Sequence, residues 1–134
     1  MANKFFFMNG GSERVFFQER DFLLSRGHEV IDFSMQDPRN FPSEYADAFV
    51  PRINFHQNGA SLKRIKMAIS FIHSSIAVRN IEKLVSRTKP DIAHLHNIYH
   101  QLTPSIITVL KRLGIPVVMT LHDYKLICPS YLAL

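Results

Sequence analysis

Short apolar runs alternate with stretches of helical period along most of this chain. Residues 4–8 (Lys-Phe-Phe-Phe-Met) run into Asn9-Gly10-Gly11 and predict a buried strand. Residues 13–26 predict a helix. Gly11 or Ser12 can cap it, Glu13 suits the positive end of its dipole, and Arg26-Gly27 makes a stop. Val15, Phe16, Phe22 and Leu23 form its expected inward stripe, with Glu19 inside the stripe as a paired or snorkelling carboxylate. Residues 29–33 (Glu-Val-Ile-Asp-Phe) predict a second strand. Residues 34–59 have no clear period and carry Pro38, Pro42 and Pro51, with room for one short strand around 48–50. Leu62, Ile65, Ile69, Ile72 and Ile76 then mark one face of a helix. It continues or breaks near Ser74-Ser75, resumes through Ile81, Leu84 and Val85 to Arg87, and ends at Pro90. Residues 91–95, 106–113 and 116–121 predict strand, helix and strand.

Two junctions share one pattern, Arg26-Gly27-His28-Glu29-Val30 and Arg112-Leu113-Gly114-Ile115-Pro116-Val117. Each has a basic last turn, a glycine, two more residues and an apolar strand. Strands alternating with helices through crossovers predict an α/β fold, a Rossmann-like open parallel sheet with helices on both faces. The chain shows no internal repeat. Its 134 residues, 46% hydrophobic and 20% charged, suit one globular domain over 1–134 and exclude a disordered or collagen-like chain.

The single cysteine, Cys128, excludes an internal disulfide framework and a thiolate zinc cluster. The apolar start is too short for a signal peptide core, and no stretch approaches the ~20 apolar residues of a membrane span. The expectation is a soluble, cytoplasmic protein. Formal charge is +5, and the excess is local. Lys63, Arg64, Lys66, Arg79, Lys83, Arg87 and Lys89 face one acid, Glu82, over residues 61–89. Such a stretch is either a solvated helix face or a contact for an anionic partner: lipid headgroup, phosphorylated ligand or nucleic acid.

In an open parallel sheet, ligands bind beyond the carboxyl ends of the strands. That rule selects Asn9-Gly10-Gly11-Ser12-Glu13, His96-Asn97-Ile98-Tyr99-His100 and His122-Asp123-Tyr124-Lys125. The glycine pair lets backbone approach a ligand and opens a helix N-terminus to an anion; a plain tight turn is the alternative. It is neither the dinucleotide fingerprint nor a P-loop. His94 and His96 share one strand face. With His100 and His122 they suggest a metal site, but no carboxylate ligand pattern accompanies them, so no metal is expected, and His94 reads equally as a core histidine. His122 at a strand end can hydrogen-bond a sugar hydroxyl or serve as acid or base, with Asp123 orienting it or capping the next segment. A loop histidine without a role is the alternative.

At these residues the chain resembles the amino-terminal, acceptor-side domain of GT-B glycosyltransferases, specifically glycosyltransferase family 4. The matching pieces are Gly10-Gly11-Ser12-Glu13-Arg14, Ser25-Arg26-Gly27-His28-Glu29-Val30, Lys89-Pro90-Asp91-Ile92-Ala93-His94-Leu95-His96-Asn97, Gly114-Ile115-Pro116-Val117-Val118-Met119-Thr120-Leu121-His122-Asp123-Tyr124 and Cys128-Pro129. The resemblance implies an incomplete N-terminal half of a two-domain enzyme. That enzyme would move a hexose, with retained anomeric configuration, from a nucleotide-sugar to a glycan or lipid-linked acceptor, in bacterial surface polysaccharide synthesis. Gly10, Gly11 and Ser12 would lie on the donor diphosphate. His122 would touch the donor hexose, with Asp123 beside it in the catalytic group. His96, Asn97, Tyr99 and Tyr124 would line the acceptor side. No cofactor is implied, the nucleotide-sugar being substrate. The family's nucleotide-gripping half would follow Leu134, so the 134 residues alone are expected not to transfer sugar, and an open sheet edge is expected to drive self-association. The basic helix over 61–89 would touch anionic membrane at its inner face. Two other classes stay open: a non-catalytic α/β module binding an anionic small molecule at the glycine turn, and a nucleic-acid binder using the basic helix. The latter lacks interleaved aromatics apart from Phe71.

Overall fold

A computed structural model describes residues 1–52 and 73–123. Its elements are helix α1 (Gly11–Ser25), a 3-10 turn (Ala46–Ala48), helix α2 (Ser75–Thr88), strand β1 (Ala93–Leu95), helix α3 (Ser105–Arg112) and strand β2 (Val117–Met119). β1 and β2 pair in parallel, with Ala93, His94 and Leu95 opposite Val117, Val118 and Met119. Parallel bridges extend this ladder from Leu95 to Ala2, from Ala2 to Phe33, and from Met35 to Val50. Backbone bonds close it: Ala2 N–H donates to the His94 carbonyl (2.8 Å), Phe33 N–H to Met1 (2.9 Å) and Val50 N–H to Ser34 (2.9 Å). The five extended segments therefore lie in the spatial order third, second, first, fourth, fifth, the doubly wound order of a Rossmann-like sheet. The strand order reverses between the first segment and β1.

The two sheet faces differ in chemistry. Side chains alternate along a strand, so Leu95 faces one side while His94 and His96 face the other. On the Leu95 side, α2 and α3 cover an apolar core of Ala2, Phe33, Met35, Val50, Ala77, Ile81, Leu84, Leu95, Ile106 and Leu110. The other side, under α1, carries the buried polar groups Asn3, Asp32, Ser34 and His96, beside a smaller cluster of Phe6, Phe16, Phe17 and Phe49. This polarity corrects the expected inward stripe of α1. Glu13, Phe16 and Phe17 turn inward, while Val15 is exposed and Phe22 is 57% exposed under the Arg26 guanidinium. Arg20 follows at the same spacing and makes a two-pronged ion pair with buried Asp32 at 2.8 and 3.1 Å. A helix above a polar sheet face meets it with paired charges, and an apolar pattern does not register that choice.

The first strand is also displaced. Pairing involves residues 1–4, and the phenylalanine run leaves the ladder to bury Phe6 and Phe7. The second pairs at Phe33 and Met35, later than the predicted 29–33. The predicted short strand near 48–50 is the bridge at Val50. Gly10, rather than Gly11 or Ser12, is the N-cap of α1, and no side chain caps that end. Both glycine junctions behave as the sequence pattern predicts. Gly27 (φ 82°) and Gly114 (φ 75°) are left-handed, and the next residues bond back, His28 N–H to Leu23 and Ile115 N–H to Leu110. These are Schellman stops.

Ser74 caps α2, its Oγ accepting from Ala77 N–H at 3.2 Å. The predicted face at Leu62, Ile65, Ile69 and Ile72, with Lys63, Arg64 and Lys66, lies outside the described residues. Ile76 is exposed rather than part of the inner stripe. Of the basic positions on α2, Arg87 is ion-paired with Asp47 at 2.9 Å, and Glu82 pairs with Arg112. Among the described residues no helix is long and apolar enough to cross a membrane.

Candidate functional site

The reversal in strand order puts the end of the first segment, the start of α1 and the end of β1 at one rim, where a crevice between crossovers is expected. Asn3 joins them. It is fully buried. Its Oδ1 accepts from Asn97 N–H (3.1 Å), and its amide nitrogen donates to the Phe5 carbonyl (2.8 Å) and reaches Glu13 Oε1 at 3.4 Å. Lys4 N–H donates to the Asn97 carbonyl at 2.7 Å. Glu13, on the first turn of α1, is only 2% exposed and also takes the Ser12 hydroxyl at 3.1 Å. The Ser12 side chain is thereby turned onto its neighbour.

The end of β2 joins the same rim. Tyr99 OH contacts Asn97 Oδ1 at 2.6 Å and Asp123 Oδ2 at 2.5 Å. Burial, followed by the Asp123 carboxylate, holds the Tyr99 hydroxyl well above the usual tyrosine range, so it stays protonated as a donor. His96 Nδ1 lies 2.9 Å from His122 Nε2, the two rings nearly parallel at 23°. His96 is 1% exposed and stands edge-on to the Phe16 ring. Burial, then the neighbouring histidines, pushes its pKa down to about 3, so it is a neutral imidazole. His122 is half-buried. The backbone after β1 is strained here: His100 (φ 68°) and Thr103 (φ 62°) are left-handed without being glycine.

The three predicted strand-end turns therefore meet. His122 and Asp123 are each bonded to a residue after β1, and Asn97 is tied to the strand feeding Gly10, Gly11 and Ser12. His96, expected against the acceptor, is buried and touches His122. Tyr124 lies outside the described residues, as do Lys125, Cys128 and Pro129.

Asn3 and Glu19 escaped the sequence reading as site residues. Asn3 sits before the apolar run that drew the strand assignment. Glu19 carries the carboxylate that the histidines lacked in sequence. Its Oε2 lies 3.3 Å from His96 Nε2 and 3.6 Å from His94 Nδ1, and the three ligand-type atoms all lie within 4.8 Å of one another. The i, i+2 spacing of His94 and His96 and the place of Glu19 in the inward stripe of the helix were its signals in the sequence.

A rim of strand-end histidine, carboxylate, amide and phenol beside an uncapped helix start is suited to holding hydroxyl-rich and anionic groups. Comparison with known proteins identifies the family. The family model for Glycosyltransferase Family 4 matches residues 9–131, almost the whole chain and all three turns. No curated protein and no solved structure matches. The chain belongs to glycosyltransferase family 4.

Proposed function

We propose that this domain forms the acceptor side of a retaining hexosyltransferase. The donor is a nucleotide-sugar, and the acceptor is a glycan or lipid-linked glycan of bacterial surface polysaccharide synthesis. The observation that carries the reading is the His96–His122 contact next to the Asn97–Tyr99–Asp123 chain at one rim. Breaking a glycosyl–diphosphate bond builds negative charge on the leaving group and positive charge on the sugar. Preorganised dipoles at such centres usually supply the largest share of catalysis. In this reading His122 and Asp123 face the transferring hexose. Buried His96 sets the orientation of His122, and its part in the acceptor site runs through that contact. Gly10, Gly11 and Ser12 offer the uncapped N–H groups of α1 to the diphosphate. Asn97 and Tyr99 hold acceptor hydroxyls, and no resident cofactor enters the transfer step. The basic stretch over 61–89 supports peripheral contact with anionic membrane. The exposed Val118 and Leu121 at the β2 edge support self-association of the chain.

The test uses the complete encoded polypeptide with a panel of nucleotide-sugars and membrane-derived acceptors, product anomers being read by NMR. Donor-dependent transfer with retained configuration is expected, and Asn97→Ala should raise the acceptor KM with the donor KM unchanged. Inverted product, or no turnover with any donor, contradicts the reading.

A further inference from the structure

We propose that Glu19, His94 and His96 form a binding site for a divalent transition cation of the zinc class, which pins α1 to β1 within the domain. This goes beyond sugar transfer, since the cation would be structural and would reach His122 only through His96. Three observations carry it.

The first is spacing. Ligands of a tetrahedral zinc ion lie about 2.0–2.1 Å from the metal, hence about 3.3–3.5 Å from one another. Glu19 Oε2 lies close to that spacing, 3.3 Å from His96 Nε2 and 3.6 Å from His94 Nδ1, and the two imidazole nitrogens lie within 4.8 Å of each other.

The second is the lack of any other partner. Glu19 Oε2 and His96 Nε2 are both buried and neither has a hydrogen-bond partner among the described residues, although they are within hydrogen-bonding distance of each other. The ring nitrogen does not aim an N–H at the oxygen. Two ligands sharing one ion show that relation, since both lone pairs point to a third position between them. The His96 side chain is fully buried. An orphaned imidazole nitrogen beside a carboxylate oxygen is costly without something between them.

The third is the outer contacts. Metal-bound histidines donate their remaining ring N–H to a fixed acceptor. His94 Nε2 is 2.8 Å from Thr120 Oγ1, and His96 Nδ1 is 2.9 Å from His122 Nε2. Both acceptors follow β2. With those protons placed outward, His94 Nδ1 and His96 Nε2 each keep a lone pair for an ion seated beside Glu19 Oε2. The half-exposed Glu19 side chain gives the ion an entry path and leaves a fourth position for water. A bound cation would also fix the tautomer of His122, with Nε2 as acceptor and the proton on Nδ1.

The test titrates the full-length, chelator-treated protein with Co2+ and then Zn2+. The expected result is one saturable equivalent, with the visible bands of tetrahedral cobalt, displaced by zinc, and a higher thermal midpoint. Glu19→Gln and His94→Ala, both at partly exposed positions, should weaken zinc binding by on the order of 100-fold or more. His28→Ala and His73→Ala, at exposed histidines, should leave it unchanged. Absence of saturable binding by the wild-type protein overturns the proposal. So does zinc affinity equal to wild type in folded Glu19→Gln and His94→Ala proteins, as judged by circular dichroism.

Discussion

Replacing Asn3 probes the junction on which the whole rim depends. Asn3→Ala deletes two good hydrogen bonds, the 2.8 Å bond to the Phe5 carbonyl and the 3.1 Å bond from Asn97 N–H. The 3.4 Å approach to Glu13 is too long to count heavily. Orphaning a buried polar group costs about 1–3 kcal/mol, so two cost about 2–6 kcal/mol, with about 3 kcal/mol expected where water partly refills the space. For a domain of this size each kcal/mol lowers the thermal midpoint by about 4 °C, giving a fall of about 12 °C. Asn3→Asp gives a sharper contrast. The carboxylate keeps an acceptor for Asn97 N–H but loses the donor to Phe5, and it stands a second negative charge against Glu13, which is 2% exposed. Repulsion between neighbouring carboxylates favours protonation of the introduced one, so the penalty is present at neutral pH and shrinks in acid as it takes up a proton. At pH 7 Asn3→Asp should therefore be less stable than Asn3→Ala, with the gap closing towards pH 4. Urea melts at several pH values read this directly. A loss under about 0.5 kcal/mol for Asn3→Ala, or pH-independent equality of the two variants, would refute the account of the junction.

Further expectations come from the core, the helix stops and one ion pair. Phe16→Ala removes a fully buried ring that packs on Phe6, Phe17 and His96. It should cost about 3–5 kcal/mol in a urea melt, and a loss under about 1 kcal/mol would contradict the packing described. Gly27→Ala and Gly114→Ala each meet open space at the added Cβ, so backbone strain alone should cost about 1–2 kcal/mol in thermal unfolding. The Asp37 carboxyl is held down to about 2, chiefly by the Arg39 guanidinium bonded to it, with Arg52 adding to the effect. Its contribution to stability is whole above the unfolded value near 3.9 and fades as pH falls through about 2. Asp37→Asn should flatten that acid limb, and an unchanged limb in a pH-stability profile would contradict the assignment.

Element order and connections were legible in the chain. Gly27, Gly114 and Pro90 punctuate it where the structure turns, because left-handed stops and missing donors act locally. Strand-end turns were legible too, since a parallel sheet puts His96, His122 and Gly10 at one rim by topology alone. Periodicity failed on the α1 face. It reads apolar stripes, and the sheet beneath α1 presents Asn3, Asp32, His94 and His96, so Glu13 and Arg20 take inward positions that the pattern gave to Val15 and Phe22, while Glu19 stays in the stripe where the pattern put it. It also drew the first strand to the phenylalanines, although residues 1–4 make the pairing. The partnership of Glu19 with two histidines joins a helix to a distant strand, and no local spacing carries it.

The most direct measurement of the central claim is kcat/KM for His122→Ala in the complete polypeptide, beside a circular dichroism check of folding. His122 stands half-buried at the rim, held through Nε2 by buried His96. Loss of a preorganised group at a transferring sugar costs about 100- to 1,000-fold in rate, and a fall of that order is the expected result. A folded variant that transfers sugar within about twofold of wild type would show that the chemistry lies elsewhere than this rim.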